Sequence, residues 1–200
     1  MTARKTPPPS ADEGNRRADL IRAAGRLFRE KGYAATTIRD IAAAVGMRSG
    51  SPFYHFKSKQ EMLKAVVLEG MLSALAAVEA VATRRLAPRE TFRALVRAHL
   101  DTILAGGSDF VPVLLHEWRS LDDASRAEIV ATKDRYEAIW QKTLKDLKRA
   151  RLIRDDSSLA RLLIFGSINW TAQWYRPDGK LTIDELARQA ADFFLAAQSK

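Results

Sequence analysis

The segment that decides the fold is TIRDIAAAVGMRSGSPFYHF, residues 37–56. Thr37 and Asp40 have the spacing of a capping box, in which each side chain accepts a hydrogen bond from a free backbone N–H at a helix start. Gly46 predicts the end of that helix, because glycine adopts the positive φ that a tight turn requires. The apolar residues between these signals fall on one helical face: Ile38, Ile41, Ala42 and Val45. The segment therefore begins with a short amphipathic helix that runs into a turn.

A second short helix is predicted after this turn. Ser49 is a good N-cap for a helix that continues to about His55, and Pro52 would fall in its first turn, where a missing N–H costs little. The outward positions are polar: Arg48, Ser49, Ser51, Tyr54 and His55. A short helix that enters the major groove of DNA needs such donors and acceptors. A corner of two helices with a solvated polar face is the alternative interpretation.

Helical signals continue on both sides of this segment. Apolar residues at helical spacing predict a preceding helix that Gly32 ends. Ser58 predicts the start of a long helix over residues 59–84. A second capping box, Thr182 with Glu185, opens the last helix. Since no strand pattern is found, the sequence predicts an all-α protein of about nine helices, with an N-terminal three-helix helix-turn-helix head and a C-terminal helical bundle.

Positive charge is concentrated in the first third of the chain. Residues 1–60 contain 12 Lys and Arg against 5 Asp and Glu, a net charge of +7, whereas residues 61–200 contain 21 against 19, a net charge of +2. This asymmetry is typical of a head that binds a polyanion and a near-neutral body. A solvated basic surface is the alternative. We divide the chain into a flexible basic arm (1–15), a helix-turn-helix domain (16–60) and a larger domain (61–200).

The composition argues against an enzyme, a metalloprotein and a membrane protein. The chain has no cysteine and only three dispersed histidines, so a thiol nucleophile, a thiolate metal site and a histidine-based triad are not suggested. Glycine-rich phosphate loops and the Gly-x-Ser-x-Gly motif are absent. No apolar run approaches the ~18 residues of a membrane span, and the N-terminus has no signal-peptide core. We expect a cytoplasmic protein that uses no cofactor, metal or membrane.

The segment TTIRDIAAAVGMRSGSPFYHFKSKQEML, residues 36–63, resembles the DNA-binding signature of the TetR family of one-component regulators. With the residues before it, the match covers Arg16–Leu63. It is specific because many positions meet the family spacing together: Phe28, Gly32, Thr37, Ile41, Ala42, Gly46, Gly50, His55, Phe56, Lys59 and Leu63. The resemblance implies a body that binds a small-molecule effector and forms a homodimer, which would bind a palindromic operator in double-stranded DNA.

This resemblance also implies a set of DNA-binding residues: Thr37, Arg48, Ser49, Gly50, Ser51, Tyr54, His55 and Lys59. Thr37 and Lys59, at helix starts, would contact phosphates. Arg48, Ser49, Ser51 and Tyr54 would face base edges or nearby phosphates, and His55 would pack or touch the DNA backbone. Arg48 is our candidate for guanine readout, because its planar guanidinium can pair with O6 and N7.

Two residues of the recognition segment depart from the family pattern. Pro52 stands where an apolar leucine is usual, and Phe53 stands where a tyrosine often contacts phosphate. Phe53 has no hydroxyl, so that contact is not carried over. Tyr54 is a candidate either for replacing it or for reading a base.

The C-terminal segment FGSINWTAQWYRPDGKLTIDELARQAADFFL, residues 165–195, is similar to a subset of TetR regulators of fatty-acid, phenylacetate and steroid catabolism. Several of those proteins respond to acyl-CoA thioesters, so the similarity implies an acyl-CoA effector. Our candidate effector-binding residues are His99, His116, Arg119, Tyr136, Trp140, Asn169 and Trp170. Our candidate dimer-interface residues are Gly166, Trp174, Phe193 and Phe194. We interpret His99 and His116 as core or pocket histidines rather than metal ligands.

The resulting hypothesis is a dimeric transcriptional repressor that binds a palindromic operator and is released by a small hydrophobic or acyl-CoA ligand. Two alternatives stay open at this point. A non-specific architectural DNA-binding protein would share the basic head without needing a ligand pocket. An activator would have the same fold, because polarity depends on the position of the operator.

Overall fold

The computed structural model describes residues 11–104 and 109–195. Across these two ranges the chain forms eight α-helices and two short 3₁₀ turns, with no strand. The helices are α1 (Ala11–Lys31), α2 (Ile38–Ala44), α3 (Lys59–Ala82), α4 (Pro88–Leu104), α5 (Phe110–Glu117), α6 (Asp123–Arg149), α7 (Ser158–Trp174) and α8 (Ile183–Phe194). The 3₁₀ turns are Ser51–Tyr54 and Trp118–Ser120. The all-α prediction is confirmed, and the helix count differs by one because the recognition segment is not an α-helix.

Most helices begin at a capping side chain that the sequence signals. Both predicted capping boxes are present, Thr37 with Asp40 and Thr182 with Glu185. Ser58 caps α3 by accepting a hydrogen bond from the Glu61 N–H at 3.1 Å. Such caps satisfy backbone donors that a helix start leaves free, so local sequence alone fixes these boundaries.

The N-terminal boundary of α1 corrects one expectation. The helix begins at Ala11, so residues 11–15, which we placed in the flexible arm, are helical. Residues 1–10 lie outside the described part of the chain. Gly106 and Gly107, a pair that predicts the end of α4, also lie outside it. The division into three domains stays a prediction.

The buried side chains form two hydrophobic clusters, and α3 contributes to both. Its first half, with Met62 and Val66, packs with α1 and α2 in what we call the head cluster. Its second half, with Leu75 and Val78, packs with α4, α6, α7 and α8 in what we call the body cluster. By length and composition α3 could also cross a membrane, contrary to our expectation. Ten of its residues are buried among other helices of the chain, which explains its apolar sequence.

Ion pairs join α4 to α8 in the body. Arg93 donates to Asp192 at 2.6 Å, and Arg97 donates to Asp184 at 2.7 Å. The same two helices contribute buried apolar residues to the body cluster, among them Leu95 and Leu186. The pairs are partly exposed, so each adds little to stability and mainly fixes the register of two helices that apolar contact already holds.

Candidate DNA-binding surface and effector site

The turn between α2 and the recognition segment has the predicted geometry. Gly46 has φ 68°, in the left-handed region that a side chain disfavours. The Met47 N–H donates to the Ala42 carbonyl at 2.8 Å and so closes the turn. Ala42 is 1% exposed. A small residue and a glycine at these positions let the two elements of a helix-turn-helix cross closely.

The recognition element itself differs from the prediction. It is a single 3₁₀ turn, Ser51–Tyr54, and its N-cap is Gly50, with no side-chain cap from Ser49. Pro52 lies in the first turn, where a missing N–H costs little, and its ring restricts the backbone of Ser51 before it. Pro52 is buried and accepts hydrogen bonds from the N–H groups of His55 and Phe56, so it still anchors the turn as an apolar residue.

The outward surface of this segment presents polar groups. Arg48, Ser49 and Gly50 are exposed, Ser51 and His55 are half-buried, and Tyr54 is 92% exposed. The side chains of Arg48, Ser49 and Tyr54 have no hydrogen-bond or ion-pair partner within residues 11–104 and 109–195. Phe56 lies behind them, fully buried in the head cluster. A rigid turn thus holds unpaired donors and acceptors toward solvent, as direct readout of DNA requires.

Thr37 and Lys59 were predicted to contact phosphates, but both make contacts within the protein. The Thr37 hydroxyl and N–H both donate to Asp40 Oδ2, at 2.7 and 2.9 Å. The Lys59 ammonium donates to the carbonyls of Tyr33 and Thr36, at 2.7 and 2.8 Å. Both residues therefore hold the head in shape, and their phosphate contacts stay a prediction.

Four of the seven candidate effector residues meet in the body core. His99 on α4 and Tyr136 on α6 are 2.5 Å apart, from Nδ1 to the hydroxyl oxygen. The opposite ring nitrogen of His99 is 2.8 Å from the Asn169 amide oxygen on α7. Trp140 packs against His99, with ring centroids 5.8 Å apart. We call His99, Tyr136, Trp140 and Asn169 the buried polar cluster.

Three members of the buried polar cluster, His99, Tyr136 and Trp140, are almost entirely shielded from solvent. Burial lowers the pKa of His99 to about 4, although its hydrogen bond to Asn169 acts in the opposite direction. Burial also raises the pKa of Tyr136. Phe165, which sequence reasoning missed, stacks on His99 at 5.4 Å and meets Trp140 edge-on at 5.1 Å. The indole Nε1 of Trp140 is buried, with no hydrogen-bond partner in the described part of the chain.

The other three candidate effector residues lie apart from this cluster. His116 and Arg119 are exposed near the end of α5, and Trp170, which follows Asn169 on α7, is 66% exposed. The structure therefore does not bring them together with His99. Helical spacing could have shown that Trp170 and Asn169 do not share a site. The two residues are adjacent, and adjacent residues on a helix point in different directions.

A row of exposed apolar residues runs along α7 and continues on α8. Its members are Leu159, Leu162, Leu163, Trp170, Trp174 and Phe193. Gly166 lies in the same row, and a Cβ added there would meet nothing within 4 Å. Phe194, the remaining dimer candidate, is half-buried and packs against the body cluster of its own chain. We call this row the apolar face.

The fold and the recognition segment together define a class of protein, the helix-turn-helix DNA-binding regulators. Residues 20–66 match the model of bacterial regulatory proteins of the tetR family, and residues 85–197 match that of the tetracyclin repressor-like C-terminal domain. The chain therefore belongs to the TetR family of transcriptional regulators. The resemblance stated from the sequence is confirmed.

Individual proteins resemble it over nearly the whole chain. The HTH-type transcriptional repressor KstR2 of Rhodococcus jostii (strain RHA1) is 33% identical over 191 residues, covering 92% of this chain and 93% of that protein. The structure of the superantigen PfiT is 40% identical, covers 96% of this chain and 100% of that one, and gives a TM-score of 0.75. The structure of AibR in complex with isovaleryl coenzyme A and operator DNA is 28% identical, covers 90% and 97%, and gives a TM-score of 0.80.

Proposed function

We propose that this regulator is a cytoplasmic repressor that binds a palindromic operator as a homodimer and leaves it when a small hydrophobic or acyl-CoA ligand binds the body. The observation that carries this proposal is the unpaired polar surface of Arg48, Ser49 and Tyr54. It stands on a turn in which Gly46 has positive φ and Pro52 is buried. Exposed side chains without partners in the described part of the chain are suited to reading base edges.

The apolar face supports the homodimer. Leucine and tryptophan side chains exposed in one continuous row are costly in water, and such a row marks an interaction site. A groove of about 570 Å³, lined by Leu163, Phe193 and Phe194, lies beside it. Gly166 permits the close approach of a partner helix. A two-fold dimer also matches a palindromic site, because one short recognition element reads only a few base pairs.

The buried polar cluster supports an effector site in the body. The indole Nε1 of Trp140 is buried beside the Tyr136 hydroxyl and makes no hydrogen bond of ordinary geometry, so a ligand oxygen could accept from it. A carbonyl oxygen, as in a thioester or a ketone, has the matching chemistry, and the surrounding aromatic rings suit an apolar chain. The similarity to a protein solved with isovaleryl coenzyme A points in the same direction.

Release from DNA would follow from a population shift. The ligand-free dimer would hold its two recognition turns one helical turn of DNA apart, about 34–36 Å. A ligand that binds more tightly to a form of the dimer with a different distance between the turns would shift the population away from the DNA-binding form. A coupling free energy of about 1–3 kcal/mol would weaken operator binding roughly 5- to 150-fold.

The experiment is fluorescence anisotropy on the DNA upstream of the protein's own gene, with a scrambled duplex as competitor, at two salt concentrations and with a panel of acyl-CoAs. A preference for the native fragment of about 10³ or more, lost with one thioester, is the expected result. Binding that depends on salt but not on sequence would instead favour an architectural protein. Sequence-specific binding that no acyl-CoA alters would support a specific regulator and reject acyl-CoA as its ligand class.

A further inference from the structure

Four residues close a ring of hydrogen bonds where the DNA-binding head meets the body. The Tyr33 N–H donates to Glu117 Oε1 at 2.9 Å, and the Ser120 hydroxyl donates to Glu117 Oε2 at 2.9 Å. The Gln60 amide donates to the Ser120 carbonyl at 2.8 Å and accepts from the Tyr33 hydroxyl at 2.9 Å. We call Tyr33, Gln60, Glu117 and Ser120 the junction ring. It connects the end of α1, the start of α3 and the end of α5.

The loop held by the junction ring leads directly into the helix-turn-helix. Tyr33 lies between α1 and α2, and its carbonyl accepts from the Lys59 ammonium, which also lies 4.3 Å above the Tyr33 ring. Thr36 in the same loop is fully buried, and its hydroxyl donates to the Gly32 carbonyl at 2.8 Å. The loop is thus fixed at several points, and a displacement of Tyr33 would displace α2.

On its other side, α5 is fixed to the body and to α1. A Cβ on Gly70 would lie 2.1 Å from Phe110, so α5 approaches the backbone of α3 as closely as a glycine allows. Phe110 itself belongs to the body cluster. Arg29 on α1 lies 2.5 Å from Asp109, immediately before α5. Helix α5 therefore touches the body core at its start and the head at both ends.

We propose that Glu117 and Gln60 are positioning residues for DNA binding. Through Tyr33 they fix the angle at which the body holds the head, and hence the direction in which the recognition turn is presented. Neither residue would touch DNA. A carboxylate suits this position because its two oxygens accept from the two donors, the Tyr33 N–H and the Ser120 hydroxyl.

The test measures the orientation of the head within one chain. Because the sequence has no cysteine, spin labels can be attached at Ala43→Cys on α2 and Lys145→Cys on α6, both exposed positions. Dilution with unlabelled protein removes distances between chains, so the readout is independent of dimerisation, operator and effector. Electron–electron resonance then gives the distribution of head-to-body distances in the unmodified, Glu117→Ala, Glu117→Gln and Gln60→Ala proteins.

We expect one narrow distribution in the unmodified protein. Glu117→Ala and Gln60→Ala should give broad distributions, and their binding to operator DNA should be about tenfold weaker. Glu79→Ala is the matched control, since it removes the contact between Glu79 and Arg135 inside the body.

A narrow distribution and unchanged DNA affinity in both Glu117→Ala and Gln60→Ala would overturn the proposal. Broadening in Glu117→Gln as well would support it, because that amide keeps only one of the two oxygens that accept from Tyr33 and Ser120. Gln60→Ala keeps the test decisive if Glu117→Ala fails to fold, which circular dichroism would reveal.

Discussion

His99 and Asn169 join α4 to α7 through a hydrogen bond of 2.8 Å between His99 Nε2 and the Asn169 amide oxygen. An amide oxygen only accepts, so Nε2 carries the ring hydrogen. The other nitrogen, Nδ1, is then free to accept from the Tyr136 hydroxyl. The neutral ring thus uses both nitrogens, and protonation would leave Nδ1 with a hydrogen directed at the Tyr136 oxygen in a buried site.

This geometry predicts how stability depends on pH. The pKa of His99 is lowered to about 4 in the folded protein, against 6.5 when it is exposed. The unfolded chain therefore binds a proton between pH 6.5 and 4 that the folded chain does not, so the free energy of unfolding falls as the pH falls through this window. The loss should total about 3 kcal/mol and should be absent above about pH 7.

Urea unfolding at pH 7.5, 6.5, 5.5 and 4.5 measures this effect in the unmodified protein and in His99→Gln. The free energy of unfolding of the variant should fall less at low pH. His55 and His116 remain in both proteins, so the difference between them reports His99 alone. Parallel curves for the two proteins would show that His99 titrates normally.

Substitution of Arg48 by alanine should change which sequences are bound. A bidentate pair with a base is worth about 1–3 kcal/mol of discrimination, so Arg48→Ala should flatten the preference at one position of each half-site. Binding assays on operator variants with single base changes measure this. Lys145→Ala, an exposed cation on α6, should leave both affinity and preference unchanged. A uniform loss of affinity across all operator variants would indicate that Arg48 contacts a phosphate instead.

Lys59 offers a way to separate structure from DNA contact. Its ammonium is bound to two loop carbonyls, so Lys59→Met should lower the free energy of unfolding by about 1–3 kcal/mol. Each phosphate contact contributes about 0.9 to the slope of operator affinity against salt concentration. If Lys59 contacts no phosphate, this slope should be unchanged in Lys59→Met. A slope reduced by about one would show that Lys59 neutralises a phosphate.

The apolar face predicts the effect of one added charge. Leu163→Glu should convert the dimer to a monomer, because a carboxylate would be buried against the partner. Analytical ultracentrifugation measures the change, and operator binding should weaken by at least about tenfold, since paired half-sites need a dimer. Leu115→Glu, at a similarly exposed leucine on α5, should remain dimeric. Dimers in both variants would place the interface elsewhere.

Pro52 predicts a change of local structure. Pro52→Leu restores an N–H and relieves the restriction on Ser51, so the 3₁₀ turn should lengthen toward an α-helix. Amide hydrogen exchange should then show greater protection over residues 53–56. Unchanged protection would mean that the turn is set by its surroundings rather than by the proline.

Local signals in the sequence predicted the helices well, because caps and glycines act within a few residues. Thr37, Ser58 and Thr182 begin helices where expected, and Gly46 has the expected positive φ. The prediction of an α-helix capped by Ser49 was wrong. The segment forms one 3₁₀ turn, whose N-cap is Gly50.

Contacts between distant elements could not be predicted in the same way. The junction ring joins residues up to 84 positions apart, and no periodicity marks Glu117 or Gln60. His99, Tyr136 and Asn169 were candidates from the sequence, but their grouping depends on how α4, α6 and α7 pack. Phe165 gave no signal, because an aromatic residue on an apolar helix is ordinary.

The sharing of α3 between the two hydrophobic clusters limits how modular this regulator is. The head cluster includes Val113 and Ile129, which come from α5 and α6, so a fragment cut at residue 60 would expose apolar surface that nothing replaces. A chimaera that transplants this head onto a different body would need to carry the first half of α3 and a matching surface on α5. Evolution of new operator preferences would therefore proceed by substitution within the recognition turn rather than by exchange of whole heads.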